Sequence, residues 1–378
     1  MSFFLSGERV TVDYRLRGTE TSTRAIADRL CVDQTIEAPR ELLEQCDIPQ
    51  GLIGTVEEFV HHRDGHATTL ISFPIELLGH SFPYALHTVF GTASLSRGIR
   101  VQELHISNQL PDGWPGPRHG IAGLRKLAGI YHRPLVCAVL KPLGLSPEAL
   151  AALARHFALG GVDMIKEDQG LGDHRFCPFK QRVPRCVEAI RSAAQSTGRR
   201  CLYMPHIMGA PRQIPELVQY AMQAGADGLL LSPGLIGYST LHEIASDPDV
   251  GIPILSHPAC LGTYAADPDS GLAPRVLYAQ FPRLAGADVS IFPTYGLNFP
   301  LTQADCRDIG SACTQPWGGM KPIFPTAAGR MGEHRIAEML AMAGRDVIFI
   351  LGSQVRLDPV GVSGASQRFM ATLEHLAR

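Results

Sequence analysis

The chain has 378 residues, of which 45% are hydrophobic and 19% are charged, and its formal net charge at pH 7 is −2. This length allows one large hydrophobic core with a smaller domain beside it. The small net charge gives no electrostatic argument for binding nucleic acid or a membrane surface, so neither is expected as a partner. No uninterrupted apolar stretch approaches the roughly 20 residues of a membrane-spanning helix.

The N-terminus and the cysteines both favour the cytoplasm. Residues 1–9 (MSFFLSGER) lack the basic start and the long apolar run of a signal peptide. The nine cysteines are an odd number and are scattered singly without C-x-x-C spacing. We therefore expect neither a disulfide framework nor a structural zinc site, and a reducing compartment. Cys177 and Cys260 have no activating partner in the sequence, and we interpret them as core or incidental residues.

The first part of the chain, residues 8–110, alternates short β-rich runs with amphipathic stretches. Residues 9–16 alternate like a half-buried strand, and residues 22–33 have the pattern of a helix. Further strands are predicted over residues 54–60, 67–75 and 99–106. This order predicts an α+β domain with an antiparallel sheet.

A Pro/Gly-rich stretch, residues 110–120 (LPDGWPGPRHG), is the expected domain boundary. It predicts an N-terminal domain over residues 1–115 and a second domain over residues 116–378.

From residue 134 the pattern changes to short apolar runs separated by helix-length amphipathic segments. Eight runs predict strands, over residues 135–140, 163–166, 202–207, 228–231, 253–256, 287–291, 322–325 and 347–351. Helices are predicted between them over residues 147–159, 182–197, 213–224, 274–284 and 333–343. Eight β–α repeats are typical of a TIM (β/α)8 barrel, whose active site lies at the C-terminal ends of the strands. An open doubly wound sheet is the alternative, but no G-x-G-x-x-G follows the first strand.

Two lysines, Lys141 and Lys166, stand at the ends of successive predicted strands. Lysine is rarely buried, because removing water from an ammonium is costly unless something pairs with it. On strand geometry, Lys166 and Asp168 share one side and Glu167 points to the other. A lysine and an aspartate at a barrel mouth can serve as base and metal ligand. The alternative is a simple ion pair that closes the top of the barrel.

Further polar residues are expected on the same face of the barrel: Gln169, His206, Ser232, His257, Thr326, Gly352 and Ser353. His257 could bind a substrate oxygen or shuttle a proton, and a structural histidine is an equal alternative. His206 is a weaker candidate, because Pro205 leaves the end of its predicted strand undefined. The turns that contain Ala328, Gly329, Gly352 and Ser353 follow strands seven and eight, where barrels often bind phosphate through backbone N–H groups. Plain tight turns are the alternative.

Two long motifs carry a family resemblance. Residues 141–146 (KPLGLS) resemble the K-P-K-L-G-L-S motif of the large subunit of ribulose-bisphosphate carboxylase (RuBisCO), and residues 160–169 (GGVDMIKEDQ) resemble its G-G-x-D-F-x-K-D-D-E motif. Residues 116–121 (GPRHGI) look like the family segment that leads into the first barrel strand. The motifs occur in the family's order and spacing. The resemblance covers nearly the whole chain and implies a ferredoxin-like α+β domain before the barrel.

The resemblance implies a specific chemistry. Lys166 would match the lysine that reacts with CO2 to form a carbamate, an anionic oxygen ligand suited to Mg²⁺. Asp168 would be the second metal ligand, Gln169 would stand at the third, and Lys141 would be an acid/base lysine. The metal would polarise a substrate carbonyl and stabilise the enediolate that remains after proton removal.

Several departures from the carboxylases coincide. Gln169 replaces a glutamate ligand, and the second lysine of K-P-K is missing after Pro142. Pro258 stands where the family has a phosphate-binding arginine, and residues 291–299 (IFPTYGLNF) lack the mobile-loop lysine. The turn after strand seven reads Ala-Ala-Gly instead of Ser-Gly-Gly. Together these losses make carboxylation implausible, and the chain is similar to the RuBisCO-like, or form IV, proteins.

The leading hypothesis is a non-carboxylating enzyme that removes a proton next to the carbonyl of a phosphorylated ketose, such as a 5-methylthioribulose 1-phosphate-type substrate in sulfur salvage. One alternative is a decarboxylase or hydrolase of a β-keto sugar-acid phosphate, as in apionate-type catabolism, and another is a catalytically idle regulatory homologue. The expected catalytic residues are Lys141, Lys166 and His257, and the expected substrate- or phosphate-binding residues are Thr35, Thr88, Thr326, Ala328, Gly329, Gly352 and Ser353.

The resemblance also implies a homodimer in which the N-terminal domain of one chain covers the barrel mouth of the other. Thr88 stands where the family has an asparagine that the neighbouring subunit contributes. Thr35 lies in a segment that corresponds to another such contribution, with a loop cap as the alternative.

Overall fold

The structure, a computed structural model, describes residues 5–39, 41–46, 48–106, 110, 112–296, 299–329 and 331–377. Of the segments interpreted above, residues 1–4, 40, 47, 107–109, 111 and 297–298 lie outside this description. Within the described residues, no helix combines the length and the apolar character needed to cross a membrane.

The N-terminal part is an antiparallel sheet covered by helices, as predicted. Its strands are β1 (Arg9–Arg17), β2 (Thr55–His61), β3 (His66–Pro74) and β4 (Ile99–His105). Its helices are α1 (Glu20–Asp33), α2 (Glu41–Gln45) and α3 (Phe82–Phe90). Strand β1 pairs with β3 and β4, and β2 pairs with β3, all antiparallel. Alternate residues of β1 are buried, which places one face of the sheet on the core.

The second part contains eight parallel strands around a common interior. The eight barrel strands are β5 (Leu135–Leu140), β6 (Met164–Glu167), β7 (Leu202–Met204), β8 (Leu229–Leu231), β9 (Ile254–Ser256), β11 (Val289–Ser290), β12 (Phe324–Ala328) and β13 (Ile348–Leu351). A short additional strand, β10 (Gly271–Leu272), lies between β9 and β11 in the sequence. The eight-stranded order is β7-β6-β5-β13-β12-β11-β9-β8. A parallel bridge between His206 and Leu230 joins the two end strands. The predicted barrel is therefore confirmed.

Helices pack around the barrel, on its outside and at its ends. They are α4 (Gly120–Ala128), α5 (Pro147–Leu159), α6 (Phe179–Thr197), α7 (Ile214–Ala224), α8 (Pro233–Ile236), α9 (Tyr238–Ser246), α10 (Phe281–Leu284), α11 (Gln303–Thr314), α12 (Ile336–Ala343), α13 (Ser353–Arg356) and α14 (Gly361–Leu376). Short 3₁₀ helices span Gln50–Leu52, Ile75–Leu78, Thr92–Leu95, Pro211–Gln213, Gly262–Ala265 and Glu333–Arg335. Helix α5 has the predicted bounds, because the Ser146 hydroxyl caps its N-terminus by accepting from Ala149 N.

Proline moves two of the predicted boundaries. The strand predicted over residues 202–207 ends at Met204, because Pro205 has no N–H to continue the ladder. The helix predicted over residues 274–284 is a π-turn, Val276–Gln280, followed by α10. Pro282 cannot donate to the carbonyl of Tyr278, and the Ser290 hydroxyl donates to that carbonyl instead.

The barrel interior is filled by apolar side chains from all eight strands. These side chains include Leu135, Met164, Leu202, Leu230, Leu255, Val289, Phe324 and Ile348. Ile121 and Leu124 of α4 belong to the same cluster, so α4 closes the end of the barrel where the strands begin. The opposite end, where the strands finish, is the open end.

The barrel and the N-terminal sheet are also joined directly. Strand β10, from the loop after β9, pairs in parallel with β4 of the N-terminal sheet. In the same loop, the Asp269 carboxylate contacts Arg15, Arg17 and His66 of the N-terminal sheet. The loop after β9 is thereby held at its far end by the N-terminal sheet.

Candidate active site

A cavity of about 540 Å³ opens at the C-terminal ends of the barrel strands. Eight of the residues predicted for the site line it: Lys141, Lys166, Gln169, His257, Ala328, Gly329, Gly352 and Ser353. The rest of the lining is largely apolar and includes Val139, Ile291, Phe292, Phe299 and Ile350. Such a cavity, with a few polar groups among apolar walls, is typical of a small-molecule site.

Lys166 is buried at the end of β6 with no carboxylate in salt-bridge distance among the described residues. Its side chain is 2% exposed, and its Nζ donates to the backbone carbonyl of Glu167 at 3.2 Å. The pKa of Lys166 is lowered to about 8, mainly by burial and also by the positive charge of Lys141, although Cys137 and Asp168 act in the opposite direction. At slightly alkaline pH a large fraction of this amine is neutral and nucleophilic.

The ion pair at the barrel mouth involves Lys141. Its Nζ lies 2.9 Å from Oδ2 of Asp168, and the Lys141 side chain is 39% exposed. Oδ1 of Asp168 accepts from Gly170 N at 2.9 Å. Lys166 lines the cavity, as predicted for an inward-facing residue, while Glu167 faces outward into a buried pair with Arg182. The simple ion pair that was the alternative for Lys166 and Asp168 is instead formed by Lys141 and Asp168.

The residues at the end of β6 fit a hard cation only if Lys166 becomes an oxygen donor. Among the described residues, no group of three or more His, Cys, Asp or Glu side chains could hold a metal ion. Asp168 supplies one carboxylate, and Gln169 supplies a neutral amide oxygen at the cavity wall. A protonated amine cannot ligate a metal, whereas a carbamate on Lys166 would add an anionic oxygen and complete a three-residue oxygen set.

His257 lines the cavity as a neutral hydrogen-bond donor. Its Nδ1 accepts from the backbone N–H of Ala259 at 3.2 Å, so the ring proton resides on Nε2. Burial lowers the pKa of His257 well below its usual value, and the positive charges of Lys166 and Lys141 add to this. The ring can therefore donate from Nε2 to a substrate oxygen at neutral pH.

His206 and Ser232 do not face the cavity, which corrects the expectation for both. Each is fully buried, and His206 Nε2 lies 3.0 Å from the Ser232 hydroxyl. His206 Nδ1 lies 3.0 Å from the carbonyl of Leu171, and burial lowers the pKa of His206 to about 4. The reason is local: after Pro205 the chain leaves the strand, and His206 turns into the wall between β7 and β8.

Thr326 also lies outside the lining of the cavity. It is 3% exposed and its hydroxyl accepts from Phe292 N at 3.3 Å. Thr326 therefore holds β12 to the segment after β11, and the neighbouring residues Ala328 and Gly329 reach the cavity in its place.

Thr35 and Thr88 lie in the N-terminal part and do not line the cavity of their own chain. The Thr88 hydroxyl donates to the carbonyl of Leu77 at 3.1 Å, and the residue is 2% exposed. The Thr35 hydroxyl donates to the carbonyl of Cys31 at 2.8 Å. Their contribution to a partner's site stays a prediction.

Cys260 and Tyr278, which line the cavity, and Arg356, which contacts the lining residue Lys141, were not assigned to the site from the sequence. Cys260 was interpreted as core or incidental, but it is exposed and lines the cavity, whereas Cys177 is buried. Tyr278 reaches the wall from the π-turn, and the pKa of its hydroxyl is raised by burial. Arg356 of α13 donates to the carbonyl of Lys141. Only Cys260 had a sequence signal, its place three residues after His257.

Comparison with known proteins gives one family. Residues 120–299 match the family described as the ribulose bisphosphate carboxylase large chain, catalytic domain. The chain is 32% identical over 364 residues to ribulose bisphosphate carboxylase-like protein 1 of Rhodopseudomonas palustris, covering 96% of this chain and 97% of that protein. It is also similar in structure to a Rubisco-like protein from Rhodopseudomonas palustris, with a TM-score of 0.87, 29% identity and 99% of each chain covered.

Two further relatives carry enzyme names. The chain is 32% identical to 5-methylthioribulose-1-phosphate isomerase of Rhodospirillum rubrum, covering 92% of this chain and 91% of that enzyme. It is 31% identical to 2,3-diketo-5-methylthiopentyl-1-phosphate enolase of Bacillus licheniformis, covering 94% of this chain and 89% of that enzyme.

Proposed function

Because the chain belongs to the ribulose-bisphosphate carboxylase large-chain family, we propose that it is a non-carboxylating member that removes a proton next to the carbonyl of a phosphorylated ketose. The observation that carries the proposal is the buried amine of Lys166, which precedes Asp168 and Gln169 and has no carboxylate partner within the described part of the chain. A substrate of the 5-methylthioribulose 1-phosphate type fits best. The two enzyme relatives support this, because enolisation and ketose isomerisation both begin with loss of a proton beside a carbonyl.

The proposed cofactor is Mg²⁺, held by a carbamate on Lys166 together with Asp168 and Gln169. The lowered pKa of Lys166 supports carbamate formation, because CO2 reacts with the neutral amine. When bound there, Mg²⁺ would polarise the substrate carbonyl and stabilise the enediolate. The neutral amide of Gln169 leaves this set one negative charge short of a set with a third carboxylate, which predicts weaker metal binding.

The remaining residues orient the substrate and move protons. His257 donates from Nε2 to a substrate oxygen, and Lys141 is the acid/base group at the mouth. The backbone N–H groups of residues 328–329 and 352–353 would bind the phosphate, which is supported by the position of these four residues in the cavity wall. The apolar walls exclude water and suit an uncharged substrate tail. Residues 291–299 contain no lysine, which agrees with the absence of carboxylation.

We propose a homodimer whose active site is shared between chains. Large apolar side chains are exposed in segments that follow five of the barrel strands: Leu143, Phe176, Leu235, Phe299 and Leu357. Contact with a partner chain would remove these side chains from water. A partner's N-terminal domain would cover them and bring its Thr35 and Thr88 near the cavity. Light scattering coupled to gel filtration tests the mass.

The proposed reaction is tested by solvent deuterium incorporation into a panel of ketose phosphates, with and without Mg²⁺ and bicarbonate. The proposal expects exchange into a 5-methylthioribulose 1-phosphate-type substrate, loss of exchange in Lys166→Ala, and normal exchange in Lys180→Ala, a surface lysine paired with Glu216. CO2 or phosphate release from a β-keto sugar-acid phosphate without such exchange would favour the decarboxylase or hydrolase alternative. Absence of turnover and an unchanged melting temperature with Mg²⁺ and bicarbonate would favour an idle homologue.

A further inference from the structure

Glu167, the residue between Lys166 and Asp168, is the centre of a fully buried polar network. Its carboxylate accepts from Arg182 Nε at 2.7 Å and Arg182 Nη2 at 3.1 Å. It also accepts from the Tyr203 hydroxyl at 2.6 Å and from His206 N at 2.9 Å. Each of these four residues is at most 1% exposed. The two oxygens therefore receive four donors from α6, β7 and the residues after β7.

The same network holds the loop that follows the proposed metal ligands. Nη1 of Arg182 donates to the carbonyls of Gly172 at 2.6 Å and Cys177 at 2.9 Å. The ring of His206 lies 3.0 Å from the carbonyl of Leu171. Three carbonyls of the loop between β6 and α6 are thus contacted by the side chains of Arg182 and His206, and both of these residues also donate to Glu167.

This arrangement fixes the chain on both sides of Asp168 and Gln169. On one side Glu167 is anchored by its carboxylate, and its backbone carbonyl accepts from Nζ of Lys166. On the other side the loop is anchored from Leu171 onward. A fully buried ion pair contributes little net stability compared with apolar packing, because both charges lose their water. The main effect of the Glu167–Arg182 pair is therefore to fix the position of the chain, and its contribution to the free energy of unfolding is small.

We propose that Glu167, Arg182 and Tyr203 are positioning residues that place the Lys166 amine and the Asp168 and Gln169 side chains for carbamate formation and metal binding. The inference rests on the proposed function. Partners that orient ligands without touching the metal commonly change metal affinity by about 10- to 100-fold when substituted. Glu167 contacts Lys166 through its backbone carbonyl, and Arg182 and Tyr203 act through the Glu167 carboxylate.

The test compares Tyr203→Phe and Arg182→Lys with Tyr14→Phe in the full-length protein. Tyr203→Phe removes one hydroxyl from Glu167, and Arg182→Lys keeps the charge but loses the planar fork that binds both oxygens. Tyr14→Phe is the matched control, because that buried hydroxyl donates to the carbonyl of Val89 at 2.7 Å in the N-terminal part. The probes are ¹³C NMR of the carbamate formed from labelled bicarbonate, and calorimetric Mg²⁺ titration in bicarbonate. Melting temperatures are recorded for each variant.

The inference expects about tenfold weaker Mg²⁺ binding, with reduced carbamate occupancy, in Tyr203→Phe and a larger loss in Arg182→Lys. Tyr14→Phe should melt earlier and yet bind Mg²⁺ like the wild type. If Tyr203→Phe lowers only the melting temperature, the network is structural and the inference is overturned while the proposed function stands. If the wild type itself forms no carbamate, the proposed cofactor chemistry fails and the inference falls with it. Should Arg182→Lys not fold, Tyr203→Phe alone decides.

Discussion

Replacing Lys166 with methionine should stabilise the protein at neutral pH. Burial lowers the pKa of this lysine from 10.5 to about 8, which corresponds to a cost of roughly 3 kcal/mol for keeping the amine protonated in the folded state. Because the folded-state pKa is the lower one, the unfolded chain binds the additional proton between these two values. The wild type therefore gains stability as the pH rises from about 8 to 10.5, and the full cost is present below pH 8. Methionine has a similar length and carries no charge.

The assay is urea unfolding of the wild type and Lys166→Met at pH 7 and near pH 10.5, in CO2-free buffer with a chelator. We expect Lys166→Met to be more stable by about 3 kcal/mol at pH 7, with the difference shrinking at the higher pH. Lys180→Met, at an exposed lysine, is the control and should change stability little at either pH. A Lys166→Met protein that is less stable than the wild type at pH 7, or a difference that does not depend on pH, would refute the reasoning.

Three further predictions follow from the same geometry. Gln169→Glu should tighten Mg²⁺ binding in bicarbonate about tenfold, measured by calorimetry, because it adds an anionic ligand; unchanged affinity would show that Gln169 is not at the metal. Since burial lowers the pKa of His206 to about 4, the unfolding free energy should fall by about 3 kcal/mol as the pH drops from 6.5 to 4, and less steeply in His206→Gln. Alkylation of the exposed Cys260 should block deuterium exchange by the wild type, whereas the Cys260→Ser variant should resist inactivation by the same reagent. Equal inactivation of the wild type and of Cys260→Ser would point to Cys46, the other exposed cysteine.

Much of the fold could be predicted because its signals are local. Eight apolar runs at strand spacing led to the barrel, and the capping signal at Ser146 set the start of α5. The period of two along a strand also placed Lys166 inward and Glu167 outward. These features depend on the neighbouring residues alone, so the sequence carries them.

The parts that failed depend on contacts between distant segments. No local pattern shows that Ser290 would take the carbonyl freed by Pro282 and so convert a helix into a π-turn. Likewise, the four donors to Glu167 come from residues up to 39 positions away. Cys260 lines the cavity because the loop after β9 turns back at a positive φ of 64°, which its residue type does not signal. The outline of the site was predictable, but its wall and its supporting network were not.

The central claim, that Lys166 acts as a carbamate, is tested most directly by the dependence of deuterium exchange on CO2. The wild type is incubated with Mg²⁺ and a range of dissolved CO2 concentrations, then diluted into substrate in D2O. The account predicts that the initial exchange rate saturates with CO2 and Mg²⁺ together, and that neither activates alone. A full rate of deuterium exchange in CO2-free buffer that contains a chelator would contradict the claim that Lys166 acts as a carbamate.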